Sequence, residues 1–435
     1  MCKNRLLFGL LVVLYFPLSA QTLSGIILSN ETEKGIPNAT VEISQNYGVI
    51  TNQNGNFEIE VDKFSSTDSL RFSSLGYQSL KIAIKDFKKD TIIHLNKKVD
   101  QLDDVYLVNK NIEAQKIIEK AKQNINKNYS LDSLEFKIRH KLTEKYIFND
   151  FDLKLKKINL IPKSQRVKFT TDIKKIIDEI KNTEHILEKF NSFSYKQFPH
   201  SKPKIERIEE SYSVTKHNPT LVNSWYYALD KVIKSYIDIN KEYQVKSGII
   251  SFDRDYKLQV DSTKLYYQLT WPKQYFLNPA EYDFLKNSED YSFEIKEVIQ
   301  FNENWYYQIA FKPNKAKAKF QGTLYISTSD YGILKGEYEL GEGEKLSSFN
   351  LKFPIGAKLE ENIASGSFMY TKLTSGKYSP KYYLKKTGEY NYLHRDYRLK
   401  LKDSNWLTPS KKITSNLLID GQKITENQYY FSDKD

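Results

Sequence analysis

The chain of 435 residues is nearly devoid of cysteine, since Cys2 is its single cysteine. Cys2 lies in an N-terminal segment that we expect to be removed. The remaining chain would then have no disulfide, no thiolate metal ligand and no cysteine nucleophile. A chain of this kind depends on ordinary hydrophobic cores, and it is long enough to form two or three domains.

Motifs of catalytic sites are missing as well. The six histidines are scattered, and neither His-Glu-x-x-His nor Gly-x-Ser-x-Gly occurs. His185 and Glu188 have the spacing of a zinc ligand pair, but they fall in a stretch predicted to be helical, with no catalytic-domain pattern around it. We therefore predict no catalytic residue, no metal site and no cofactor. A hydrolase whose site no motif reveals remains an alternative.

The first 20 residues have the pattern of a secretory signal peptide. Lys3 and Arg5 precede an apolar run over residues 6–18, and Ala20 precedes Gln21, the expected start of the mature chain. The run is too short for a convincing transmembrane helix, so we predict none in the mature chain. We expect export to the periplasm, the outer membrane or the cell surface.

The net charge of +12 is concentrated beyond residue 108 and is interpreted mainly as a lysine-rich solvated surface. Export and the lack of a recognition motif argue against a nucleic-acid partner. The expected partners are instead an envelope protein, a glycan or a lipid.

Short alternating strands are predicted over residues 21–100. The turn residues Asn54-Gly55 precede Phe57, Ile59 and Val61, which alternate with acidic residues. Similar turn signals recur about every 8–12 residues, which is typical of a β-sandwich. We predict seven strands in this sandwich, a hairpin at Asn54-Gly55, and a linker over residues 101–110.

Four motifs follow one another in this segment: Gly25, Pro37–Val41, Thr51–Phe57 and Gly76-Tyr77. In that order they resemble the carboxypeptidase regulatory-like domain, a transthyretin-like sandwich, although Asn52 stands where Asp is usual. The resemblance implies a non-catalytic module. It occurs on zinc carboxypeptidases and on envelope proteins of Bacteroidetes-like bacteria, including TonB-dependent receptors.

The pattern changes at residue 111, where an α+β domain over residues 111–435 is predicted. Apolar residues at helical spacing predict three helices, near 111–127, 171–190 and 219–240. A pair of strands is expected over 134–160, and a meander of antiparallel strands follows the third helix. The predicted fold is therefore mainly β with an α+β second part: a seven-stranded β-sandwich followed by a helix-decorated antiparallel sheet.

One apolar face of the predicted meander is the candidate binding surface. Trp305 and Tyr307 point to one side of a strand, and Phe320 and Leu324 lie on one side of the next. Residues 305–340 weakly resemble the half-barrel sheet of periplasmic lipoprotein carriers, in which a concave face binds acyl chains. Helices could cover this face to form a core, which is the favoured arrangement, or leave it open as a groove.

Three functions remain open from the sequence. The favoured one is an exported, non-catalytic envelope protein with a binding or scaffold domain. The alternatives are a periplasmic carrier or sensor of an apolar or lipid ligand, and a hydrolase with an unrecognised site.

Overall fold

The structure, a computed structural model, describes residues 22–43, 47–62, 64–88, 90–98, 113–129, 134–182, 185–197, 204–214, 225–248, 254–256, 277–402 and 410–433. The chain divides into two compact units, Met1–Gln101 and Leu102–Asp435. The predicted signal peptide and the predicted linker lie outside the described residues.

The first unit is a β-sandwich of two small sheets. Its strands are β1 (Thr22–Ser29), β2 (Thr40–Ile43), β3 (Tyr47–Ile50), β4 (Asn56–Glu60), β5 (Ser69–Ser73), β6 (Leu80–Ala83) and β7 (Thr91–Leu95). One sheet has the order β4-β1-β7 and the other β3-β2-β5-β6. All pairs are antiparallel except β1 and β7, which run parallel. Side chains of both sheets, such as Ile27 and Phe72, form one buried core, which confirms the predicted sandwich.

The turn at Asn54-Gly55 joins the two sheets, so the predicted hairpin is wrong. Asn52 Oδ1 accepts hydrogen bonds from the N–H groups of Asn54 (2.9 Å) and Asn56 (3.0 Å). Gly55 has a φ of +80°, which glycine adopts without strain. The carbonyl of Gly55 accepts from Ile27 N–H at 2.8 Å, which directs β4 onto β1 rather than back onto β3.

The fully buried side chain of Thr51 connects two segments beside this turn. Its hydroxyl donates to the carbonyl of Ile36 at 2.6 Å and accepts from the N–H of Ala39 at 2.9 Å. Both backbone groups are thereby paired away from water, which the interior of a sandwich requires.

The second unit consists of one large sheet and six helices among its described residues. The elements in chain order are α1 (Ala114–Gln123), α2 (Ile125–Tyr129), β8 (Leu134–Ile158), α3 (Arg166–Asn182), β9 (His185–Gln197), β10 (Lys204–Val214), α4 (Trp225–Lys234), β11 (Tyr243–Ser247), β12 (Arg254–Tyr256), α5 (Asp283–Lys286), β13 (Tyr291–Phe301), β14 (Asn304–Pro313), β15 (Phe320–Ser327), β16 (Ile333–Leu340), β17 (Ser347–Leu351), α6 (Lys352–Ile355), β18 (Ala357–Lys372), β19 (Tyr378–Leu401) and β20 (Lys412–Asp433).

In the described part of the chain the sheet has thirteen strands, and its main path runs β10-β9-β8-β20-β19-β18-β16-β15-β14-β13. β17 pairs with β18, β11 with the far end of β19, and β12 with β11. Every pair in this sheet is antiparallel. The mainly β fold with a helix-decorated antiparallel sheet is thus confirmed.

Two predicted elements of this unit differ from the structure. The stretch predicted as a pair of strands is the single 25-residue strand β8. The helix predicted over 171–190 ends at Asn182, and β9 begins at His185. Long-range pairing explains both differences, because β8 lies between β20 and β9, and β9 lies between β8 and β10. His185 and Glu188 are therefore located on a strand.

Cross-strand register places one set of residues on a common face of the sheet. Leu324, Gly336, Phe368, Tyr383, Tyr429 and His140 are successive partners across six strands. β20 pairs with β19 without a register shift, so its residues alternate between the two faces along its whole length. Ile413, Leu417 and Ile419 therefore lie on the same face as Tyr429. We call it the covered face.

Two groups of elements cover this face. Near β14 to β18, the cover is the α5 segment, which consists of Tyr282 and α5. Phe284 stacks on Phe311 with ring centroids 4.4 Å apart, and Tyr282 stacks on Phe368 at 4.3 Å. Near β8 and β20, the buried residues of α3 and α4, such as Phe169, pack with apolar residues of the strands. The first group fills its part of the face, whereas the second leaves a space.

Replacement of Thr51 by Val should destabilise the first unit by about 1–3 kcal/mol, because two buried backbone groups lose their partner while the side-chain volume is kept. Denaturant-induced unfolding of the full chain measures this change. Thr51→Ser retains the hydroxyl and should cost clearly less. Equal losses for Val and Ser would show that the hydrogen bonds are unimportant.

Candidate functional site: an apolar cavity

A cavity of about 700 Å³ lies between α3, α4 and the covered face of the sheet. This volume falls within the range of about 300–1,000 Å³ that is typical of small-molecule sites. Most lining side chains are aliphatic or aromatic. The lining residues are Tyr146, Ile147, Phe148, Leu153, Leu155, Phe169, Ile173, Leu229, Asp230, Ile233, Ile237, Val245, Leu359, Glu389, Asn391, Tyr392, Leu393, Tyr397, Arg398, Leu399, Ile413, Ser415, Leu417, Ile419, Gly421, Gln422 and Lys423.

Small residues on β20 contribute to this space. From Ile413 to Gly421 the lining residues of this strand alternate with the period of two that a strand imposes, and Gln422 and Lys423 follow. Ser415 and Gly421 stand among bulkier neighbours and project little volume toward the helices. The sheet therefore presents an apolar wall with gaps that the helices above do not fill.

α3 and the residues after α4, which together form the helical wall of the cavity, are joined by a ring contact and a hydrogen bond. The ring of Phe169 in α3 lies 5.2 Å from that of Tyr236, just after α4, in an edge-to-face arrangement. The hydroxyl of Tyr236 donates a hydrogen bond to the carboxylate of Asp172. This bond and partial desolvation raise the pKa of Tyr236 to about 12, so the hydroxyl remains a donor at neutral pH. The two helices consequently form one cover.

Two of the four charged residues that line the cavity, Lys423 and Asp230, form ion pairs. Lys423 forms an ion pair with Glu144 at 2.8 Å, and its ammonium lies 5.4 Å from the ring centre of Tyr146. Burial alone would lower the pKa of Lys423, but Glu144 outweighs it and the pKa lies above its ordinary value. On α4, the buried Asp230 is paired with Lys234. These two charges therefore have partners within the protein.

The cavity opens to solvent on one side. Leu359 of β18 lines it and is 50% exposed. A large aliphatic side chain that both lines a cavity and contacts water marks its mouth. A ligand could therefore enter without unfolding of the helices.

The four residues predicted to bind a ligand lie on the sheet but do not line this cavity. Tyr307 and Leu324 are buried, while Trp305 and Phe320 are partly buried. The covered face around Leu324 is filled by the α5 segment, as the Phe284–Phe311 stacking shows. Their ligand-binding role stays a prediction, and the enclosed space is found elsewhere on the same sheet.

The sequence did contain a signal for the observed cavity. The apolar spacing that predicts helices near 171–190 and 219–240 includes Ile173 and Leu229, and both residues line the cavity. The alternation from Ile413 to Ile419 is a second signal, on β20. Neither pattern distinguishes a filled core from a cavity, because that difference depends on the volume left between the elements.

His140 is buried on the covered face and has a partner for each ring nitrogen. Its Nε2–H donates to Asn427 Oδ1 at 2.9 Å, and its Nδ1 accepts from the amide of Asn191 at 3.2 Å. The ring also stacks on Tyr429 with centroids 4.3 Å apart. These contacts fit a neutral imidazole, and burial lowers the pKa of His140 to about 4.

The described residues contain no group of three histidine, cysteine, aspartate or glutamate side chains that could hold a metal ion. Throughout the same ranges, no helix is both long enough and apolar enough to cross a membrane.

Comparison with known proteins identifies the first unit. Residues 23–107 match the family model of the CarboxypepD_reg-like domain. The N-terminal part of the chain carries this domain. The match confirms the resemblance expected from its four motifs, and it covers about a fifth of the 435 residues. A search of curated proteins found no match.

Similarities to solved structures are low. A LolA superfamily protein of Nitrosomonas europaea matches at 10% identity over 74% of this chain and 94% of its own, with a TM-score of 0.19. An outer membrane lipoprotein-sorting protein domain of Vibrio parahaemolyticus matches at 9% identity over 71% and 92%, with a TM-score of 0.18. Such TM-scores carry no functional argument.

A third similar structure is a cohesin–X-dockerin complex of Acetivibrio cellulolyticus. It is 26% identical over 17% of this chain and has a TM-score of 0.14. The match covers about half of that solved chain, 51%.

Acidification should destabilise the second unit through His140. The pKa is lowered on folding, so the unfolded chain binds more protons between pH 6.5 and about 4, and stability falls as the pH drops through that window. The loss should approach about 3 kcal/mol at the acidic end. Unfolding measured against pH tests this, and His140→Gln should flatten the dependence. An unchanged profile in that variant would contradict the assignment.

Proposed function

We propose that the second unit binds an apolar ligand, such as the acyl chain of a lipid, and that the protein is a non-catalytic carrier or sensor. The observation that carries this proposal is the cavity under α3 and α4. Its volume suits a small ligand, its walls are mainly apolar, and it has an open mouth at Leu359.

The lining favours an apolar ligand over a polar metabolite. A polar ligand needs several converging hydrogen-bonding groups, because each polar group buried without a partner is costly. Here Lys423 and Asp230 already have partners in Glu144 and Lys234, and most of the lining side chains are apolar. Transfer of an acyl chain from water into such a space is favourable.

We place this activity in the cell envelope. The apolar run over residues 6–18, which precedes Ala20, supports export, and the CarboxypepD_reg-like domain fits an envelope protein. N-terminal sequencing of protein recovered from the envelope should give a chain that starts at Gln21. Recovery of an uncleaved chain from the cytoplasm would argue against this location.

Filling the cavity should abolish binding of a fatty acid. Ser415→Trp would project an indole from β20 into the space, and we expect the affinity for cis-parinaric acid to fall at least about tenfold, equivalent to about 1.4 kcal/mol. The increase of its fluorescence on binding provides the measurement. The first unit is not involved in this readout.

Thr414→Trp is the matched control, since Thr414 precedes Ser415 but does not line the cavity. It should retain the parent affinity, and thermal unfolding would establish that both variants are folded. Parent-like binding by a folded Ser415→Trp variant would refute the proposed site, as would a parent protein that binds no cis-parinaric acid.

A further inference from the structure

A hairpin beside the cavity mouth exposes large apolar side chains. We define the apolar hairpin as residues 346–359, which comprise β17, α6 and the start of β18. Phe353 is 92% exposed and Phe349 is 47% exposed. Leu346, Leu351 and Leu359 are exposed as well. A cluster of this kind is unusual on a water-facing surface and indicates an interaction site.

The exposed side chains are continuous with the cavity lining. Two cross-strand ladders run from β17 through β18 and β19 to β20: Phe349–Leu359–Asn391–Gly421 and Leu351–Ala357–Leu393–Ile419. Residues opposite one another in such ladders project from the same face. Leu359, Leu393 and Ile419 are among the residues that line the cavity. The apolar surface thus extends from the cavity to the exposed edge of the sheet without changing face.

The charged residues of the apolar hairpin are all positive. Residues 346–359 contain Lys352 and Lys358 and no acidic residue. The ammonium of Lys352 lies 3.9 Å from the ring centre of Tyr392, which itself lines the cavity. Lys358 is paired with Glu360 at 2.9 Å. Exposed aromatic side chains flanked by lysine suit the interface of a lipid bilayer, between its headgroups and its acyl chains. There the aromatic rings contact the acyl chains, and the lysine ammonium groups contact anionic headgroups.

We propose that the apolar hairpin docks on the surface of a lipid bilayer, with Phe349 and Phe353 inserted among the acyl chains. This inference rests on the proposed function, because a bilayer is where a lipid ligand of the cavity would be taken up or released. Docking at this hairpin places the cavity mouth against the membrane. A ligand can then move along Phe349 and Leu359 into the cavity without crossing water. Passage through water would be unfavourable for an apolar molecule.

Vesicle binding tests this docking. The full mature chain should float with vesicles of phosphatidylcholine and phosphatidylglycerol, and a variant that combines Phe349→Ser with Phe353→Ser should bind at least about tenfold more weakly. Both side chains are exposed, so thermal unfolding should remain unchanged. Val167→Ser removes another exposed apolar side chain, 80% exposed at the start of α3, and should bind vesicles like the parent.

A second readout separates this proposal from the proposed function. Without vesicles, the double serine variant should bind cis-parinaric acid like the parent. Ser415→Trp should lose that binding and still float with vesicles. Vesicle binding that is absent in the parent, or equal in parent and double variant, would overturn membrane docking whatever the fatty-acid result. A parent dimer that the double variant dissociates, without vesicle binding, would instead identify an interface between two copies.

Discussion

The architecture of the second unit depends on one constraint: the apolar face of a large antiparallel sheet must be removed from water. Hydrophobic burial is the main favourable term in folding, and a sheet with an apolar face needs a layer packed on it. The chain meets this need twice. Around Phe311 and Phe368, aromatic side chains from the α5 segment stack directly on the sheet. Around Ile419, the helices α3 and α4 provide the cover.

The difference between these two covers explains the candidate site. Stacked rings fill the space beneath α5, whereas small residues on β20 and the placement of α3 and α4 leave about 700 Å³ unfilled. An unfilled apolar space in a protein core is costly, because its walls lose packing contacts. A bound apolar ligand would restore those contacts. The cavity and its open mouth are therefore more readily understood as a binding site than as part of the folding core.

The sequence predicted the features that have local causes. Gly55 and Asn52 encode a tight turn, and alternation such as that of Phe57 and Ile59 encodes a strand, so the sandwich was correctly predicted. The partner of each strand was harder to predict, because pairing is decided by distant residues. The Asn54-Gly55 turn joins two sheets instead of forming a hairpin, and β9 begins before the end of a predicted helix.

The four residues predicted to bind a ligand lie on the same sheet as the cavity but do not line it. Aromatic alternation at Trp305 and Tyr307 marks an apolar face, and farther along the same strand, at Phe311, Phe284 of α5 covers that face. The cavity lies beside β20, whose cavity-facing residues from Ile413 to Gly421 include no aromatic side chain. Small residues such as Ser415 occur among the aliphatic ones there. Sequence patterns report which residues are apolar, whereas a cavity depends on the volume that remains after packing.

Photo-crosslinking with a diazirine-bearing fatty acid tests the central claim most directly. Irradiation of the complex, followed by digestion and mass spectrometry, should label peptides that contain Ile173, Ile233 and Leu417, and an excess of unlabelled fatty acid should suppress the labelling. Labelling confined to peptides around Trp305 and Leu324, or labelling that competition does not reduce, would contradict the account.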